Sequence, residues 1–228
     1  MTTDGHRGTL GFTHPRDGDL MGDAAESACH ELLLRLAGRL PDRQLWRFRD
    51  WLAAGALPEL SQALPLTLLR ERIGLTSVEI RFLDASLRPF GADAGLLSSV
   101  REIDDLPELD FVFTPTSPYP MSLGDQRAVL FDAVLRGRPS VGEVRACWRQ
   151  SRTDSNPPKR VLVVSAAADW INLTGELQRM QRALGEHDPC VEVLPVDMEP
   201  PPYHWAAIEA SELLCTGAAA ATAALVHS

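Results

Sequence analysis

Ser165, Asp169 and Asp197 fall in the loops that follow two apolar runs, RVLVVSA from Arg160 and CVEVLPVD from Cys190. The loops leaving the strands of an α/β sheet are where such folds place a ligand. A phosphate there needs glycines, so that backbone N–H groups can approach the anion, and it is repelled by acid; the first loop instead reads Ala166, Ala167, Ala168, Asp169. Asp197 stands where an acid could accept from a ribose hydroxyl, and equally where a strand-end turn former belongs. Ser165 occupies the strand end at which a receiver-type fold would carry a phospho-acceptor aspartate. Tyr203, His204 and Trp205 follow three prolines. This aromatic group reads as a lid over a core or, if exposed, as a contact point for a partner, since Tyr and Trp dominate interface hot spots. His204 has neither a nucleophile nor an orienting carboxylate beside it in sequence, so a role as general base has no sequence support. Trp46 lies off the apolar stripe of its helix and is a second partner-binding candidate.

Metal ligation finds little footing. Cys29, Cys147, Cys190 and Cys215 are far apart and form no C-x-x-C pair, and His6 and His14 lack paired-ligand spacing. The expectation is reduced, buried thiols, no metal and no cofactor.

The 228 residues can bury roughly 70% of the surface of the unfolded chain. Hydrophobic residues at 45% and charged residues at 23% match globular usage, and no apolar run approaches the roughly 20 residues of a bilayer helix. The net charge of −9 disfavours nucleic acid and anionic lipid, both of which reward Lys and Arg. No basic residue follows Arg182. The first residues show no apolar stretch of the signal-peptide kind, which makes the cytoplasm the expected compartment.

These candidates need elements to hold them. Residues 1–22, rich in Gly, Asp, Thr and Arg, read as a disordered arm. Helical periodicity begins at Ala24 and continues through a helix from Asp42 to Ala54 with Leu45, Phe48, Trp51 and Leu52 inward. A third helix contains Pro65, which should kink it, and a fourth is opened by the capping box Thr76 and Glu79. Together they predict a small bundle within a mainly helical domain, 24–150. Phe111 to Phe113 reads as a brief strand, and Gln126 to Arg136 as a helix. Ser140 with Glu143 forms a second capping-box pattern, predicting a helix through Val144, Cys147 and Trp148. The stretch 151–159, SRTDSNPPK, has linker composition. Beyond it, 160–228 reads as a small α/β domain: strand, crossover helix Asn172 to Leu184, strand, short helix near Ala206, third strand Glu212 to Thr216. Ala218 to Val226 fits strand or helix. The fold class is thus α/β, an N-terminal helical bundle followed by a C-terminal βαβαβ Rossmann-like half-sheet.

Residues 68–87 are similar to a helix-turn-helix, with Ile73, Gly74, Ile80 and Leu83 where that motif has apolar, Gly, apolar and apolar residues. Arg70 departs from it, standing where the motif packs a small residue. Lys159 is the single lysine among 22 basic residues and Ala is abundant, a high-GC bias. Over Ala24 to Gly217 the layout resembles uncharacterised actinobacterial proteins with a helical front half and a C-terminal βαβ unit, a resemblance that implies no activity. The residues point to an intracellular interaction or regulatory module whose partner is another protein or a second copy. The alternatives are an enzyme or nucleotide binder using Ser165, Asp169 and Asp197, and a DNA-binding regulator using 68–87.

Overall fold

The computed structural model describes residues 17–118 and 124–219. Helices α1 (Asp17–Arg35), α2 (Asp42–Ala53), α3 (Leu57–Arg70), α4 (Ser77–Leu87) and α5 (Ala94–Ser99) come first. Strand β1 (Phe111–Thr114), helix α6 (Gly124–Leu135), strands β2 (Val141–Ser151) and β3 (Lys159–Ala166), helix α7 (Trp170–Ala183), strand β4 (Cys190–Pro195), helix α8 (Pro202–Glu209) and strand β5 (Glu212–Thr216) follow. No described helix is long and apolar enough to cross a membrane. Of the arm expected over 1–22, residues 1–16 with His6 and His14 lie outside the described residues, while 17–22 begin α1 rather than a disordered stretch.

The helical half follows its apolar periodicity. Leu32, Leu33 and Leu36 of α1, Leu45, Phe48 and Leu52 of α2, and Leu60, Leu64 and Leu68 of α3 are buried in one cluster. Pro65 is accommodated inside α3, which continues to Arg70. At the start of α4, Thr76 Oγ1 accepts from Glu79 N at 3.4 Å and Thr76 N donates to Glu79 Oε2 at 2.9 Å, so the capping box forms as read. Helix α4 packs mainly on α1. Three helices end in the same double hydrogen bond, in which a left-handed residue and its successor return to carbonyls of the last turn. Gly55 N reaches Leu52 O and Ala56 N reaches Trp51 O after α2; Gly185 and Glu186 do the same after α7. After α3 the left-handed position, φ 56°, is held by Arg72 instead of glycine.

The five-stranded sheet is mixed. β2 is its longest strand: β3 pairs antiparallel along one side, and on the other β5 (Glu143↔Thr216 to Ala146↔Glu212) and β1 (Thr114↔Trp148 to Phe111↔Ser151) follow one another. β3 and β4 are parallel and joined by α7, the single βαβ unit among the described residues. The helix expected after Ser140 is therefore β2. Ladders on both sides, with Val141, Val144, Ala146 and Cys147 buried, override the local capping pattern. The stretch 151–159 joins β2 to β3, adjacent strands of one sheet, so the sheet crosses the boundary that composition suggested. The third strand, Glu212–Thr216, forms as expected but runs antiparallel beside β2. It does not extend the parallel pair into βαβαβ, because helices occupy the outer edge of β4. Val191 O accepts from Arg49 Nη1 of α2 at 2.7 Å and Val193 O bonds His30 Nε2 of α1 at 3.0 Å. Residues two apart in a strand share a side, so both bonds cap the edge on which another strand would add.

Helices α6 and α7 cover one face of the sheet, with Phe131, Leu135, Leu173 and Leu177 on Leu162, Val164, Val191 and Val193. The other face carries α8 and Leu34 of α1 on Cys147, Val161, Val163 and Leu194. Leu173 and Leu177 pack as the crossover reading requires and Met180 is half-buried against them, but Leu184 is exposed. Tyr203 of α8 belongs to the helical core, which ties the two halves together. Most of Ala218 to Val226 lies outside the described residues.

Candidate functional site

Two polar assemblies and one groove form at the junction of helices and sheet. The deepest assembly joins α1, α2, β4 and α8. Arg49 Nη1 and Nη2 donate to Glu192 Oε1 and Oε2 at 2.8 and 2.6 Å, and His204 Nε2 meets Glu192 Oε2 at 2.8 Å. Arg49, Glu192, His204 and the neighbouring His30 are each no more than 2% exposed. Burial opposes ionisation of Glu192, but the Arg49 guanidinium and the His204 hydrogen bond outweigh it and hold the carboxyl at about 2. Burial also dominates at His30, which is lowered to about 3; it is neutral and donates Nε2–H to the Val193 carbonyl. His204 Nδ1 has no partner among the described residues. With Glu192 ionised, His204 Nε2 is the donor.

The second assembly lines a hollow of ≈ 470 Å³. Arg149 donates Nη1 to the Tyr203 hydroxyl at 3.0 Å and Nη2 to Asp42 Oδ2 at 2.5 Å, with its guanidinium 4.4 Å from the Phe111 ring centre. Lys159 Nζ lies 2.9 Å from the same Asp42 oxygen, and Trp46 Nε1 donates to Asp188 Oδ1 at 3.1 Å. Burial would raise the Asp42 carboxyl, yet Arg149 and Lys159 together keep it below the ordinary range. Arg149, Lys159, Asp42 and Asp188 are joined in ion pairs, which makes this a brace between α2, the sheet and α8.

The groove, ≈ 730 Å³, is the largest of the cavities described. Its lining includes four arginines: Arg35, Arg39, Arg72 and Arg101. Arg39 is held by Glu79 at 2.6 Å and donates Nη2 to the Gly74 carbonyl; Arg35 pairs with Glu31 at 2.7 Å. Arg72 and Arg101 are exposed and make no ion pair with a described residue. Arg101 packs so close to Gly74 that its Nε would stand 3.3 Å from a Cβ there. The segment from Asp105 to Asp110 also lines it, as do Pro201, Pro202 and Tyr203. This segment begins after Leu75 and Arg101 to Ile103 pair as a short parallel bridge. From Leu106 it runs without turn or bend into β1. No backbone group of residues 104–109 bonds another described residue.

The residues singled out from sequence disperse. Ser165 Oγ is taken by Glu143 N at 2.7 Å. Asp169, left-handed at φ 58°, precedes α7 and accepts from Asn172 at 2.7 Å. It lines a hollow with Asp23 and Glu26, whereas Asp197 lines another with Glu31 and Glu199. No common site forms, and both hollows carry the charge that repels phosphate. Tyr203 and His204 are buried, Trp205 is 51% exposed, and Trp46 is half-buried in the brace, with Arg182 stacked 4.4 Å from its ring. Within 68–87, Arg70 pairs with Glu71, and Asp84 with Arg88 just beyond the segment. All four cysteines are free and buried, and burial pushes Cys29, Cys147 and Cys190 up to about 12. Among the described residues no cluster of three or more His, Cys, Asp or Glu could hold a metal ion.

No family model, curated protein or solved structure matches this chain. Apart from Ile73, Gly74 and Tyr203, the groove residues had escaped sequence reasoning. The available signal was Arg72, a non-glycine residue in the place where a helix-ending glycine is usual.

Proposed function

We propose that the protein is an interaction module that receives a segment of another protein in the groove between α3, the 101–110 segment and the start of α8. The observation that carries this reading is the unpaired backbone of 104–109, of which 105–109 line a ≈ 730 Å³ groove. Free main-chain groups beside an open groove are what an incoming extended chain pairs with. A left-handed Arg72 in the same lining supports the same reading, because backbone strain tends to persist where it serves a site. The deeper charges are engaged with one another and suit a rigid frame for that groove.

The test places a photo-crosslinking amino acid at Leu106, in the groove, or at Leu184, just after α7. The two are 40% and 38% exposed, so accessibility alone would label them equally. In extracts of the source cells, position 106 is expected to give an adduct of discrete mass that position 184 does not. Equal labelling, or none at 106, contradicts the reading.

A further inference from the structure

We infer that the two acidic hollows beside Trp170 form one site for a linear polyamine, which lies along α1 with an ammonium group in each hollow. The inference does not depend on the groove. The hollows, ≈ 540 and ≈ 380 Å³, have Ser27 and Trp170 in common. Asp23, Glu26 and Asp169 stand in the first, Asp197 and Glu199 in the second, and none of the five has an ion-pair partner among the described residues. The cation of the second lining, Arg35, is held by Glu31 through Nε at 3.1 Å and Nη2 at 2.7 Å. Burial and the neighbouring Asp23 charge raise the Glu26 carboxyl above its ordinary range, a crowding that a bound cation relieves. The N-terminus of α7, which by itself favours an anion, already has Asp169 beside it.

Acidic residues alone attract any cation, and His30 makes the attraction specific. It is 2% exposed and lines the second hollow, with Nε2 turned to the Val193 carbonyl. Its other nitrogen, Nδ1, has no partner among the described residues yet is not sealed from solvent, so it opens on the hollow as a bare acceptor for an N–H donor. A metal ion needs several ligands converging, and among the described residues no three His, Cys, Asp or Glu do so. An ammonium needs only an acceptor and an aromatic face. Trp170, half-buried with its ring centre 6.4 Å from that of His30, supplies the face between the hollows, and Ile171 and Met198 offer apolar surface to methylene groups. Asp23, Glu26, Ser27, His30 and Glu31 share one face of α1. At about 1.5 Å per residue that stripe is about 12 Å long, which suits a three-nitrogen chain such as spermidine.

The probe is spermidine, titrated calorimetrically into the full chain at physiological salt, with magnesium chloride and a short lysine–alanine peptide as the other arms. Spermidine should bind at one site, magnesium at the same concentration should give no saturable signal, and the peptide should bind more weakly. Asp23→Asn/Glu26→Gln and Asp197→Asn/Glu199→Gln should each weaken spermidine by at least about tenfold, the size of one charge-assisted hydrogen bond. Glu209→Gln/Glu212→Gln, which removes two charges outside both linings, should change it by less than about twofold because distant charges are screened. In isotope-labelled protein the nitrogen resonance of His30 Nδ1 should move on adding spermidine while that of His204 Nδ1 stays. No saturable spermidine binding, equal binding of magnesium, or equal loss in the Glu209/Glu212 pair overturns the site. Loss in only one of the two hollow variants overturns the bridging of the hollows, and a fixed His30 Nδ1 resonance overturns the placement of the ammonium. Tighter binding of the lysine peptide assigns the site to a basic segment of another protein and overturns the polyamine.

Discussion

Arg49 and Glu192, separated by 143 positions in sequence, meet in a two-pronged pair with both side chains buried. The pair fixes α2 against the edge strand β4, and His204 brings α8 to the same carboxylate. Removing one partner strands a buried charge. Glu192→Gln or Arg49→Met should each destabilise the protein by about 3–5 kcal/mol, whereas the double change Arg49→Leu/Glu192→Leu should lose much less than the sum. Urea unfolding of the three variants measures this. Single losses below about 1 kcal/mol would show that the pair is not the anchor.

Acid should weaken the fold in two stages. His30 is lowered from 6.5 to about 3, and Glu192 from 4.5 to about 2. Between each folded value and its ordinary value the unfolded chain binds the extra proton, so stability rises with pH there. The His30 contribution is complete above about 6.5 and declines below it; the Glu192 contribution follows from about 4.5 downward. Chemical denaturation across pH 4–8, an order-of-magnitude window around these values, should show the first decline flattened in His30→Gln. An unchanged slope in that variant would assign the decline to other groups.

Gly38 sits between the groove and the Asp42 hollow at φ 78°, and a Cβ there would meet Tyr203 Cδ2 at 2.6 Å. Gly55 has a similar φ of 71° but open space around it. Gly55→Ala should therefore lose only backbone strain, about 1–2 kcal/mol, and Gly38→Ala clearly more because Tyr203 must move. Thermal unfolding of the two variants tests this; equal Tm values would show that Tyr203 gives way freely.

Leu177 of α7 is fully buried, and Leu184, the first residue after the helix, is exposed. Leu177→Ala should cost about 2–5 kcal/mol, and Leu184→Ala within about 0.5 kcal/mol of zero. Similar losses at both would contradict the way α7 lies on the sheet.

Local chemistry made much of this fold legible. The Thr76–Glu79 box, the α2 stripe and the strand Glu212–Thr216 each announce themselves within a few residues. Strand β2 did not, because Ser140 and Glu143 mimic a helix start and only its two ladders outweigh that signal. The frame of the site was half-visible. Arg49 lies on the apolar stripe, four residues after Leu45 and three before Leu52, and Glu192 interrupts an apolar strand. Charges inside apolar patterns must find each other, but which ones meet is a tertiary fact. The groove had no such mark, since an unpaired backbone is invisible until its neighbours are placed.

Amide exchange tests the central claim most directly. The full chain is compared with and without the partner isolated through the position-106 adduct, peptide by peptide. Protection concentrated on 101–109, with a second patch at 72–75, is the predicted result. Unchanged exchange there, or protection centred on the half-exposed edge formed by β1 and β5, would contradict it.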